Sequence, residues 1–250
     1  MAQYSNSGLL EVLFREEDRC VFCQDAPKLR YGLCASCFRE LELVHVCRSL
    51  EERTARPYEV YSAGFYNNFL KELFARYKFS GQSYLEEGFC EMLSDAVGRY
   101  ERLRMRGWVC SVPMLPHQKT RRGYNAAEEL AKGVARRRQL LYVCALQKKR
   151  RTREQNKVSS LERKHNVQDV FRIAADRHGL FRAAYFDVRR GRFVSGQISR
   201  QELCEQPGIL VDDFVTSGNT LREAGAVLRM AGIQVDGLTL ATSHYPKEDE

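Results

Sequence analysis

Residues 208–221 read "GILVDDFVTSGNTL": an apolar run, two adjacent aspartates, and then a turn of small and hydroxylated residues. A short apolar run bounded by acids and a turn predicts a buried strand. A capping-box pattern, Thr220 with Glu223, predicts that a helix starts there and stops at Gly232. A buried strand that turns straight into a helix belongs in a sheet covered by helices, where ligands sit beyond the carboxyl ends of the strands. Asp212 and Asp213 are then delivered to that edge, beside Thr216, Ser217, Gly218, Asn219 and Thr220. Small residues let the backbone approach a ligand, and the helix N–H groups with the hydroxyls form a cradle for a phosphate-sized anion. Two carboxylates repel a phosphate unless they bind magnesium or accept hydroxyl protons. The ligand that satisfies both demands carries a phosphate and vicinal hydroxyls, as ribose 5-phosphate does.

The rest of the chain supports such a sheet. Strands are expected at 58–66, in "WVCSVP", in "LLYVCAL", in "GILVDD" and in "QVDGLTLA", with helices at 68–78, 83–105 and 126–138 between them. This alternation predicts an α/β fold with a mainly parallel sheet and helices on both faces. "AYFDVRRGRFVS" reads as a hairpin, followed by a capping box from Ser199 to Glu202. The stretch "MLPHQKTRRGYN" reads as a polar, basic loop.

Nine cysteines are an odd number for a disulfide framework. Four of them form Cys20-x2-Cys23 and Cys34-x2-Cys37, the ligand spacing of a closed tetrahedral zinc site. The segment around them has too little apolar content to build a core alone, so a structural zinc ribbon is expected there. Cys47, Cys90, Cys110, Cys144 and Cys204 read as small core residues. An apolar cluster within residues 1–15 predicts a short helix packed on the ribbon or the main domain, which gives a module over 1–50 and a second domain over 57–245.

A formal charge of +8 favours a polyanionic partner but does not identify one. No run of 18 apolar residues is present, and the first residues lack a signal-peptide pattern, so a cytoplasmic protein without a membrane segment is expected.

An aliphatic strand ending in two acids also suits a Walker B element. That reading requires a phosphate loop with a Gly-Lys pair, and the sequence has none. The run from Leu210 to Thr220 instead resembles the phosphoribosyl-pyrophosphate (PRPP) motif of type I phosphoribosyltransferases. Together with "VPMLPHQKTRRGYNAAEELA", "RTREQNKVSSLERKHNVQDVF" and the amino-terminal four-cysteine segment, in that order, the chain resembles the ComF family of competence proteins over nearly its whole length. Two features depart from the family pattern: residues 176–205 form a longer link than usual, and Ala126 stands where a glutamine is expected.

The resemblance implies that Asp212 and Asp213 hold the ribose hydroxyls, directly or through magnesium, and that residues 216–220 hold the 5-phosphate. Lys119, Arg121 and Arg122 are the candidates for the pyrophosphate, the alternative being a solvated basic loop. The segment from Lys148 to Asn166 lies where these folds place a mobile flap, and Lys148, Lys149, Arg150 and Arg151 are candidate contacts to a single-stranded DNA backbone. Tyr124, Phe171 and Tyr185 are candidate stacking platforms, while His117 and His165 have no evident partner.

Three functions compete. A natural-competence protein acting in DNA uptake binds PRPP-type ligands and single-stranded DNA. An active phosphoribosyltransferase displaces pyrophosphate from PRPP. A zinc-ribbon adaptor contacts a DNA-uptake helicase or a recombination mediator. The intact aspartates and threonines count against the last, and no nucleobase pocket is recognisable for the second.

Overall fold

A computed structural model describes residues 18–44, 46–50, 58–149 and 170–243. The helix expected within 1–15 and nearly all of the basic segment from 148 to 166, including Arg150 and Arg151, lie outside the described residues.

Two knuckles and the short helix α1 (Ala35–Arg39) make up the cysteine module. Strand β1 (Val46–Ser49) then pairs antiparallel with β2 (Glu59–Phe65), so the last part of the 1–50 segment is an edge of the main sheet. Helix α2 (Asn68–Phe79) opens where the Asn67 side chain accepts from the Leu70 amide, and it buries Leu70, Leu73, Phe74 and Tyr77. The helix expected over 83–105 arrives in pieces: a 3-10 turn over Ser83–Leu85, α3 (Glu86–Arg99) and α4 (Glu101–Arg104). The break falls at Tyr100, which adopts extended dihedrals and lies in a ring contact with Tyr61, 4.4 Å between centroids. Burying this aromatic residue outweighs helical continuity that local sequence alone favours.

Strand β3 (Trp108–Ser111) is entirely buried. The expected loop after it contains helix α5 (Pro116–Arg122), with a proline in its first turn and Gly123 closing it at φ +84°. Polar composition hides this helix, because it presents no apolar stripe. Helix α6 (Ala126–Arg138) and β4 (Leu141–Val143) follow, and "LLYVCAL" then continues into β5 (Leu146–Lys148), which leaves the main sheet to pair with β6 (Phe171–Ile173) as a separate ribbon. The hairpin is present as β7 (Leu180–Asp187) and β8 (Arg192–Ser199), followed by α7 (Arg200–Glu205), whose Ser199–Glu202 capping box is formed. Strand β9 (Gly208–Val215), helix α8 (Asn219–Met230) and β10 (Val235–Thr242) complete the chain.

The sheet order is β1-β2-β10-β9-β3-β4-β7-β8. Its centre, β2 to β4, is parallel, while β1, β7 and β8 add antiparallel edges. Helices α2, α3 and α6 pack on one face together with the cysteine module, and α8 and the β5–β6 ribbon pack on the other. From β3 the chain crosses through α6 to β4, and from β9 it crosses through α8 to β10, in opposite directions along the sheet. The boundary between β3 and β9 is therefore a topological switch point, where the loops leaving the two strands part and open a crevice.

Candidate functional site

The β3–β9 boundary is built by unequal strand lengths. Strand β3 pairs with β9 only as far as Val211, and the Val112 amide makes the last bond, to the Val211 carbonyl at 2.9 Å. Asp212 and Asp213 are the next residues of β9, beyond the end of β3. Each carboxylate accepts the amide that follows it: Asp213 N–H donates to Asp212 Oδ1 at 2.9 Å, and Phe214 N–H donates to Asp213 Oδ1 at 2.8 Å. Side-chain alternation slips at the same place. Leu210 and Val215 both join the core on the α8 face, although they are five residues apart, and Phe214 packs edge-on against Phe74 of α2.

The two carboxylates have different environments. Asp213 forms an ion pair with Lys78, in the last turn of α2, at 2.5 Å. Asp212 has no such partner among the described residues, and burial together with the charge on Asp213 pushes its carboxyl up to about 8. One acid paired with a lysine beside another that resists ionisation is a site short of positive charge. Hard oxygen donors in this arrangement fit magnesium, which binds through one or two carboxylates and takes its remaining ligands from water or phosphate.

After Val215 the chain turns through exposed Thr216 and Ser217 into Gly218, which holds φ +76° at the N-cap of α8. The left-handed dihedral favours glycine here, and a Cβ on Gly218 would lie 2.7 Å from a Leu50 methyl, which would have to give way. This corrects the capping expectation. Helix α8 begins at Asn219, Thr220 is its second residue, and no side chain caps it. Its first turn is left facing the crevice edge with the exposed Asn219 and Thr220. Arg48 of β1 reaches the Thr216 carbonyl at 3.4 Å, and Arg222 bonds Asn219 Oδ1 at 2.8 Å, so two guanidinium groups brace the turn.

On the β3 side, the buried Asn125 donates to the Val112 carbonyl at 3.2 Å and ties the start of α6 to the β3 exit. Lys119, on α5, is engaged by Glu128 at 2.7 Å. Arg121 and Arg122 fall in the last turn of the same helix. Tyr124 is no free stacking platform, because its ring lies 5.4 Å from that of Tyr77 and its hydroxyl bonds the Tyr77 carbonyl. Phe171 is buried and carries Lys148 over its ring at 5.7 Å, whereas Tyr185 is exposed. Lys149 follows at the mouth of the β5–β6 ribbon, its amide bonded to the Val170 carbonyl.

Lys78 and Arg48 were not singled out by sequence reasoning. Both belong to ordinary basic patches, and only the sheet topology brings them beside residues 213 and 216.

The four cysteines converge as their spacing predicts. Their sulfurs all lie within 4.8 Å of one another, and Cys23 and Cys34 are 3.8 Å apart. Tetrahedral zinc with bonds near 2.3 Å requires sulfur–sulfur separations of about 3.8 Å. Burial opposes ionisation of Cys20, yet backbone hydrogen bonds from Cys23, Cys34 and Phe22 bring its thiol down to about 7. The donor set fits a structural metal. By contrast Cys47 and Cys204 are exposed and Cys144 is half-buried, which corrects the expectation that they are core residues; Cys90 and Cys110 are buried.

No family model matches the chain. "Competence protein F" of Haemophilus influenzae is 25% identical over 246 residues, covering 89% of this chain and 97% of that protein. "Competence protein ComFC" of Streptococcus pneumoniae is 26% identical over 227 residues, covering 88% of this chain and 86% of that protein. Over most of its length the chain is similar to these two competence proteins. Among solved structures, an APRTase from Giardia lamblia complexed with 9-deazaadenine aligns with 87% of this chain and 100% of its own, at 11% identity and a TM-score of 0.35. Among the described residues no helix is long and apolar enough to cross a membrane.

Proposed function

We propose that this chain works in natural competence as its ComF relatives are named to do, and that it binds a PRPP-type sugar phosphate with magnesium at Asp212, Asp213 and the turn from Thr216 to Thr220. The observation that carries this reading is the pair of carboxylates standing past the end of β3, next to an uncapped helix start at the switch point of a parallel sheet. Magnesium, when bound, neutralises the diphosphate. The chain's own residues do the rest. Asp212 and Asp213 orient the ribose hydroxyls, the turn and the first N–H groups of α8 hold the 5-phosphate, and Lys119, Arg121 and Arg122 approach the pyrophosphate from α5. Lys119 exchanges Glu128 for the ligand when it does so.

Zinc at Cys20, Cys23, Cys34 and Cys37 holds the amino-terminal module, and the basic segment beginning at Lys148 contacts single-stranded DNA. The ribbon β5–β6 supports the latter, because it anchors both ends of a strongly basic stretch against the α8 face.

Calorimetry with magnesium and PRPP tests the proposal. The parent chain binds, and Asp213→Asn, which keeps the strand's shape but removes a charge, binds on the order of 100-fold more weakly with unchanged folding. Equal binding by the variant overturns the site. Single-stranded DNA is predicted to bind with little sequence preference and a steep salt dependence. Replacing Lys148, Lys149, Arg150 and Arg151 with glutamine flattens the salt slope by up to about four units. DNA binding that is absent at low salt, with steady pyrophosphate release when a nucleobase is supplied, favours the phosphoribosyltransferase instead.

A further inference from the structure

The long link over residues 176–205, unexplained by the family resemblance, builds a second concavity. Hairpin β7–β8 extends the sheet past β4 and faces α6 and the start of α3 across a cavity of about 710 Å³, within the size range of small-molecule sites. Pairing fixes which side chains share the cavity face. Tyr142 stands opposite Ala184, Ser195 opposite Ala184 on the other strand, and Arg182 two residues along β7 on the same side. The floor is made of small residues, Ala184, Ser195 and Gly196, and the aromatic walls are Tyr84, Tyr142 and Phe193. Small residues on the floor, with bulk confined to the walls, leave room for a ring.

Most of the charges that line the cavity neutralise one another. Glu128 is paired with Lys119 and Lys132, Glu129 with Lys132, and Glu87 with Arg136 and Arg137. Two are left over. Glu86, half-buried at the start of α3, accepts only the Tyr77 hydroxyl, at 3.1 Å, and forms no ion pair among the described residues. Arg182, exposed on β7, likewise forms none. They do not pair with each other. Glu86 on the helical side and Arg182 on the sheet side thus face a common space as an unmatched acid and an unmatched base.

We propose that this cavity is a second ligand site, taking a small aromatic zwitterion whose amino group donates to Glu86 and whose acid group pairs with Arg182, with the ring between Tyr84 and Phe193. A carboxylate with spare lone pairs accepts an ammonium directly, and a guanidinium fork receives a carboxylate on two parallel bonds. Aromatic walls add ring contact and suit a ring beside an ammonium. Neither Asp212, Asp213 nor magnesium takes part, so this site stands or falls apart from the proposed function.

The test uses the full-length chain, without magnesium or PRPP, and three matched probes: 4-(aminomethyl)benzoate, benzylamine and benzoate. Binding is followed by heteronuclear chemical-shift titration at millimolar probe. The zwitterion is expected to shift resonances of residues around Glu86, Lys132 and Ser195, and each half-probe to bind roughly tenfold more weakly. Glu86→Gln should erase the advantage over benzoate, and Arg182→Gln the advantage over benzylamine. Ser195→Trp, which fills the floor, should abolish all binding while the parent's spectrum elsewhere persists. Absence of shifts at the cavity, a zwitterion no better than either half, or undiminished binding by a folded Ser195→Trp variant overturns the proposal.

Discussion

The cysteine module and the carboxylate site are assembled on opposite principles. In the module the four ligands come from 18 consecutive residues, so chain spacing alone brings the thiols together. At the carboxylate site, Lys78 and Asp213 meet at 2.5 Å across 135 residues, and Arg48 reaches Thr216 across 168. Local sites are visible as spacing. Sites at a sheet edge are visible only through the strand order that gathers them. The two are nevertheless joined, since Arg76 lies over the Phe22 ring of the module at 4.2 Å while Lys78, two residues on along α2, holds Asp213.

Removing a thiol should produce the largest effect. Cys34→Ser is expected to take zinc content from about one per chain to none, because structural zinc needs all four ligands and its binding is folding free energy. Metal analysis and limited proteolysis of residues 18–44 check this. A metal-free variant whose module stays as resistant as the parent would show that apolar packing on α2 and α3, rather than metal, defines the module.

Acidity should distinguish the regions next. Asp212 holds its proton in the folded chain between the ordinary value of 3.8 and about 8. Its contribution to stability is fully present below 3.8 and is lost as pH rises through about 8 in the absence of metal. Magnesium needs the ionised form, so its affinity should climb over the same window and level off above it. Magnesium titrations across this range test the direction; an affinity that falls with rising pH would remove Asp212 from the site.

Lys78→Met is a smaller perturbation of the long-range assembly. Both partners of the ion pair are about one-fifth exposed, so its loss should cost stability about 1 kcal/mol or less. Freed of its ammonium, Asp213 should bind magnesium about fivefold more tightly. Weaker magnesium binding would mean that Lys78 positions the carboxylate rather than competing for it. Gly218→Ala, which meets an unfavourable φ and the Leu50 methyl, is expected to cost a comparable amount, about 1 kcal/mol of stability. Ligand affinity that falls more than stability would show the turn's shape to be part of the cradle.

Much of the fold was readable from periodicity and turn signals. The apolar runs of β2, β3, β9 and β10 and the stripes of α2 and α6 gave their positions, because burial on a parallel sheet demands unbroken apolar segments. Helix α5 escaped because it is polar throughout, although Pro116 and Gly123 marked its ends. The Thr220–Glu223 pattern misled because a left-handed Gly218, fitted against Leu50, caps the helix and starts it two residues earlier than a capping Thr220 allows. At the site, the aspartates and their turn were legible from residue type, whereas Lys78 and Arg48 depend on which strands become neighbours.

The outer edges of the sheet are unequal. Strand β1 has four residues, but β8 has eight, pairs only with β7 among the described residues, and carries a single charged side chain, Arg192. Long, weakly charged edges are templates for further strand addition. As the concentration of this chain rises, this margin, distant in the strand order from Asp212 and Asp213 of β9, is where strand addition between copies is expected, and a lysine introduced along β8 would be the economical way to keep the molecules apart.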